Sequence, residues 1–90
     1  MKHLDIKIYG KVQGVFYRIS SKKEAKRLKI FGYVKNLNDG VVEIEVEGEE
    51  NNLNKFLAWC REGSILARVA KVDYECSEKL KGYEDFEIRS

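Results

Sequence analysis

Leu4-Asp5-Ile6-Lys7-Ile8-Tyr9-Gly10-Lys11-Val12-Gln13-Gly14-Val15-Phe16-Tyr17-Arg18 is the stretch from which the rest of the chain can be read. Leu4, Ile6 and Ile8 fall on one face of an extended chain and Asp5 and Lys7 on the other, so a strand is expected from Lys2 to Tyr9. Beyond it, Ser21, Ala25 and Leu28 recur at i, i+4 and i+7, while Lys22, Lys23, Lys26 and Arg27 face water. That spacing predicts a helix over 17–29, packed closely on a sheet through small residues. Between the two lies a strand-to-helix loop. Gly10 and Gly14 let its backbone take positive φ and turn N–H groups inward, and such a nest at a helix start binds anions. Arg18, in the first helical turn, opposes the helix dipole unless an anion sits between them. The stretch reads as an oxyanion cradle that works on a phosphate.

Downstream, Ile30 to Asn36 is rich in strand formers and runs into Leu37-Asn38-Asp39-Gly40. Asp-Gly between two strand patterns signals a hairpin, because the turn needs positive φ. Its partner strand sets Val42, Ile44 and Val46 against Glu43, Glu45 and Glu47, and the glutamate row is expected to be a solvated sheet face. Glu49 and Glu50 place negative charge at the start of a second helix. Leu53, Phe56, Leu57 and Cys60 form its apolar stripe, with Trp59 beside it and Gly63 as its C-cap. Ala67 to Cys76 alternates again, with Ala70, Val72, Tyr74 and Cys76 on the apolar side, and Tyr83 to Arg89 reads as a short closing strand with Phe86 and Ile88 inward.

This order predicts an α+β, ferredoxin-like split β-α-β sandwich: an antiparallel sheet with two helices on one face. In each split unit the two strands run parallel with a third between them, so their C-terminal ends share one edge. Arg18 follows the first strand and Asn36 ends the second. Two strand spacings, roughly 10 Å, separate them, and their side chains can converge across that gap.

The chain has 90 residues, 36% charged and 43% hydrophobic, without proline, and is expected to be one domain spanning 1–90. A net charge of +2, with basic residues spread among acidic ones, gives no basic stripe for nucleic acid. No apolar run approaches membrane length, and Met1 to Asp5 lead straight into a strand, so a cytoplasmic location is expected. Cys60 and Cys76 lack CxxC spacing and are expected to be buried thiols, with a disulfide between them left open. His3 is the only histidine and no carboxylate spacing suggests liganding, so no metal is expected.

At this point the chain resembles the acylphosphatase family over essentially its whole length. Gly10 to Arg18 is similar to the family's phosphate loop, and Gly32-Tyr33-Val34-Lys35-Asn36 with Gly40, Val42 and Gly48 is similar to its second signature. Tyr17 departs from the pattern, standing where the family usually has Phe or Met. The resemblance implies metal-free hydrolysis of carboxyl-phosphate anhydrides without a cofactor, and catalytic roles for Arg18 and Asn36.

The residue types suit that chemistry. The leaving group is a carboxylate whose conjugate acid has a pKa of about 4, so it departs without a general acid, and the loop holds no His, Cys, Asp or Glu. What remains is to hold the phosphoryl group, stabilise its equatorial oxygens and place a water in line. Arg18 offers a planar fork, and the backbone N–H groups of Gln13, Gly14, Val15, Phe16, Tyr17 and Arg18 supply further donors. Gln13 is expected to act through its backbone rather than its side chain. Asn36 has an amide that donates to and accepts from water, and is expected to orient the nucleophile. The expected partner is a small-molecule acyl phosphate, bound by a monomer, without nucleic acid or membrane. Two rivals are weighed against this reading. An RNA-recognition domain of the same element order is disfavoured by Glu43, Glu45 and Glu47 on the third strand. A domain recruited for regulation, or for carbamoyl phosphate within a larger system, shares the chemistry.

Overall fold

The computed structural model describes residues Met1–Ser90. Strand β1 (Lys2–Lys11) leads through the loop to helix α1 (Tyr17–Arg27). Strands β2 (Phe31–Asn36) and β3 (Val42–Gly48) follow, then helix α2 (Glu50–Glu62), strand β4 (Arg68–Ser77) and strand β5 (Phe86–Arg89). The sheet order is β4-β1-β3-β2-β5. Ile6 pairs with Ile44 on β3 and with Tyr74 on β4, so β3 separates β1 from β2 and β1 separates β3 from β4, as two split β-α-β units require. The ferredoxin-like α+β arrangement is therefore present. One correction concerns β5, which pairs parallel to β2, with Gly32 opposite Phe86 and Val34 opposite Ile88. The sheet is mixed rather than wholly antiparallel, because the closing strand adds to the free edge of β2 instead of forming a hairpin.

Both helices cover one face. Ile6, Ile8, Val34, Val42, Ile44 and Val46 of the sheet meet Ala25 of α1 and Leu53, Phe56, Leu57 and Cys60 of α2 in one buried cluster. Trp59 stacks on Phe56 and tilts against Tyr17, as part of that core. The β2–β3 turn forms as its Asp-Gly signal requires: Gly40 has φ 88°, and Asp39 Oδ1 accepts from the Val41 N–H. Helix α1 stops two residues earlier than its pattern suggests. Lys29 turns left-handed at φ 56°, its N–H donating to Lys26 O and the Ile30 N–H to Ala25 O, which closes the helix as a glycine normally would.

The opposite face is not a plain solvated surface, which corrects the reading of the glutamate row. Glu47 is fully buried, and its carboxylate accepts from the backbone N–H groups of Lys81, Gly82 and Tyr83. Glu45 lies within hydrogen-bonding distance of the Tyr33 and Tyr83 hydroxyls and the Lys81 ammonium. Periodicity assigns these glutamates to one face, but not the chain between β4 and β5 that folds back over it. His3 is buried there too, with Nδ1 2.7 Å from Glu47 Oε2 and Nε2 3.1 Å from Asp5 Oδ1. Ionised carboxylates only accept, so this geometry favours the doubly protonated imidazole.

Burial alone would pull the His3 pKa down, but the hydrogen bonds and charges of Glu47 and Asp5 outweigh it and raise it above 6.5. Burial likewise pushes Glu47 up, yet its bonds to the 81–83 backbone and His3 hold it below 4.5. The histidine's stabilisation is complete below pH 6.5 and fades as pH rises through its higher folded value. That of Glu47 is complete above pH 4.5 and fades as pH falls through its lower folded value. Stability from this pair is therefore greatest between those limits. Denaturant unfolding at pH 6 and pH 9 should show wild type losing stability between the two, and His3→Gln losing less. Equal losses would contradict the charged-imidazole assignment.

The cysteines divide. Cys60 is buried on α2 with its thiol pushed up to about 12 by burial, as expected, whereas Cys76 is exposed on the edge strand β4, and both are free thiols.

Candidate active site

The loop is anchored by alternation: Val12, Val15 and Tyr17 are buried while Gly14 and Phe16 point out. Three side chains then fix its course through four hydrogen bonds. The Gln13 Nε2 donates to Leu37 O at 2.8 Å and Val41 O at 3.0 Å, tying the loop to the turn that follows Asn36. The Ser64 hydroxyl donates to Val15 O at 2.6 Å from the far side. The Tyr17 hydroxyl donates to Cys60 O at 2.8 Å, so the extra oxygen at that position is satisfied inside the core rather than placed in the site. Its two bonds give the Gln13 side chain a structural role of its own and leave the expectation for its backbone N–H unchanged. Neither those bonds nor Ser64 has a local signal, because their partners lie 24 to 49 positions away in the chain.

The two glycines do different work. Gly10 lies inside β1, which runs two residues longer than its alternation indicates, at a shift in the pairing with β4. A Cβ there would stand 2.2 Å from Arg68 O, so this glycine permits close strand approach. Gly14, at φ 73°, belongs to the nest. The second left-handed residue of the loop is Phe16, at φ 64° and ψ 20°, immediately before the helical Tyr17. Left-handed followed by right-handed conformation is the pattern that turns successive N–H groups to one point. None of the N–H groups of Gln13, Gly14, Val15 and Phe16 donates to backbone or side chain of the protein. These four donors are left free of protein acceptors.

Arg18 stands half-buried on the first turn of α1, with one long contact from Nη1 to Arg89 O at 3.4 Å. Arg89 is itself held by its guanidinium over the Tyr33 ring, 4.1 Å from the centroid. Asn36 ends β2, and its Oδ1 is buried without a hydrogen-bond partner. Arg18, Asn36, Gly14 and Phe16 line one depression, together with Val12 and Ile19. A polar oxygen withdrawn from water and left unpaired costs about 1–3 kcal/mol, which an incoming donor recovers.

A larger depression lies on the other face of the sheet, but Asp5, Glu43, Asp73 and Glu75 stand in its wall, against a single Lys7, and would repel a phosphate. On that face His3, Asp5 and Glu45 also bring possible metal-ligating atoms within 4.8 Å of one another, a cluster that sequence spacing did not indicate. The Lys81 ammonium, 2.8 Å from Glu45 Oε1, already neutralises part of that charge. The cluster is remote from Arg18 and Asn36, whose depression offers no His, Cys, Asp or Glu side chain.

Known proteins resemble this chain over nearly its whole length. The acylphosphatase family model matches residues 4–88. An acylphosphatase of Thiobacillus denitrificans is 43% identical over 90 residues, covering 100% of this chain and 99% of the relative. The acylphosphatase structure from Bacillus subtilis superposes with a TM-score of 0.98 at 38% identity, covering 100% of both chains. The same fold recurs in full-length HypF, solved in its phosphate- and nucleotide-bound form, with TM-score 0.90 and 32% identity over 99% of this chain and 12% of that one. Matched along almost its entire length by the family model and by a solved member, this chain belongs to the acylphosphatase family.

Proposed function

We propose that this protein hydrolyses the carboxyl-phosphate anhydride of acyl phosphates to a carboxylate and inorganic phosphate, with Arg18 and the loop holding the phosphoryl group and Asn36 orienting the water. The observation that carries the reading is the unpaired Asn36 Oδ1 in the same depression as Arg18 and the loop. A water donating to that oxygen would be held with a lone pair free for phosphorus.

In the reaction the water oxygen forms a bond to phosphorus and the bridging P–O bond breaks, its electron pair leaving on the carboxylate. The water proton goes to a phosphate oxygen. Charge on the three equatorial oxygens is met by the Arg18 fork and by the N–H groups of Gln13, Gly14, Val15, Phe16, Tyr17 and Arg18. No group in the depression is of a type that takes up or donates a proton near neutral pH, in keeping with a leaving group that needs none. The donor set is nitrogen and amide rather than carboxylate or imidazole, which suits an anion directly and supports a reaction without a metal cofactor.

No helix is long and apolar enough to cross a membrane. The carboxylates across the open face disfavour nucleic acid, and the substrate is taken up by a cytoplasmic monomer.

Hydrolysis of benzoyl phosphate and p-nitrophenyl phosphate in the presence of EDTA tests the reading. The anhydride should turn over far faster than the ester, because p-nitrophenolate is a more basic leaving group than benzoate and the site offers it no proton. Comparable rates on both, or none on the anhydride, would overturn it.

A further inference from the structure

We infer that Phe16 and Ile19 form an apolar ledge that receives the acyl portion of the substrate, so that acyl phosphates with an aromatic or bulky apolar acyl group are favoured over small or charged ones. This rests on the reading of the loop as a phosphoryl cradle.

Phe16 is 65% exposed and Ile19 52% exposed, although each is large and apolar. Both line the depression that holds Arg18 and Asn36. Phe16 stands immediately before α1 and Ile19 in its first turn, and both side chains border the same depression beside Arg18. Local preference argues against a phenylalanine at position 16 twice over. Its left-handed backbone favours glycine or asparagine, and its solvent-facing direction favours a polar group. Val15 and Tyr17 on either side already fill the core, so the ring is not needed for packing there. A residue that breaks two local rules beside a binding site has its reason in the site.

The substrate supplies that reason. With the phosphoryl oxygens turned into the N–H nest, the acyl group projects outward, where it meets these two side chains. Ring-on-ring contact and the release of water from Phe16 and Ile19 reward an aromatic acyl group, while a charged one would lose hydration against them.

Calorimetric titration of inorganic phosphate, methylphosphonate and phenylphosphonate into the full chain tests this without requiring turnover. Wild type should bind phenylphosphonate about tenfold more tightly than methylphosphonate. Phe16→Asn, chosen because asparagine tolerates the left-handed backbone, and Ile19→Thr should each shrink that ratio, and the double variant should bring it near one. The ratio of kcat/KM for benzoyl phosphate over acetyl phosphate should fall in parallel. If phosphate binds but wild type shows no preference for the phenyl group, or both variants keep it, the ledge is refuted while the cradle stands. If inorganic phosphate does not bind at all, the cradle reading fails and the ledge with it.

Discussion

Arg18→Ala should lower kcat/KM for benzoyl phosphate by roughly 10²–10³-fold, the equivalent of about 3–4 kcal/mol of lost transition-state stabilisation. Affinity for inorganic phosphate should fall with it, because the same fork holds ground state and transition state. The large effect follows from division of labour: the loop's backbone donors carry no full charge, and the guanidinium is the only cationic side chain lining the depression. Folding should be nearly untouched. The Arg18 side chain makes a single long contact, to Arg89 O, and half-exposed groups of this kind alter stability by about 0.5 kcal/mol or less. Arg18→Lys keeps the charge but loses the planar pair of donors, and should recover only part of the activity. Measured rates, phosphate binding and denaturant midpoints for the three proteins check all three statements. A folded Arg18→Ala protein with wild-type kcat/KM would remove the arginine from the mechanism.

Asn36→Ala should show a different signature. Its expected loss is roughly 10²-fold in kcat, with KM and phosphate affinity little changed, since misplacing a reacting water affects the chemical step rather than the hold on the phosphoryl group. Stability should hold or rise slightly, because the substitution removes a buried oxygen that no group of the protein satisfies. Steady-state kinetics beside a denaturation curve separate the cases. A rise in KM with unchanged kcat would make Asn36 a substrate-binding residue instead.

Much of this molecule is legible in its sequence because the signals are local. The alternation of Leu4, Ile6 and Ile8, the Asp39-Gly40 turn and the Leu53, Phe56, Leu57, Cys60 stripe each name an element and its buried face, and the structure buries all those apolar positions. Together they dictate the strand order that brings Arg18 and Asn36 to one depression. What escaped the sequence reading depends on contacts distant along the chain. Glu47 looks like an outward strand residue until the 81–83 backbone closes over it. Gln13 looks like a loop amide until Leu37 and Val41 come within reach. The parallel docking of β5 depends on a free edge of β2 that no local pattern announces. Phe16 is a different case: its left-handed backbone runs against its own residue preference, and local reasoning fails at such a position for physical reasons rather than for want of range. The outward ring of Cys76's neighbour Tyr74 and the thiol itself were misjudged because α2 does not cover the end of an edge strand that alternation alone assigns inward.

The central claim is that the protein holds the phosphoryl group and delivers water to phosphorus, leaving the acyl carbon to depart untouched. Single-turnover hydrolysis of benzoyl phosphate in oxygen-18 water, followed by mass spectrometry of both products, tests it most directly. One labelled oxygen in inorganic phosphate and none in benzoate is the expected result. Label in benzoate would mean that water attacks the carbonyl carbon, and that the cradle around Arg18 and the amide of Asn36 serve some other chemistry.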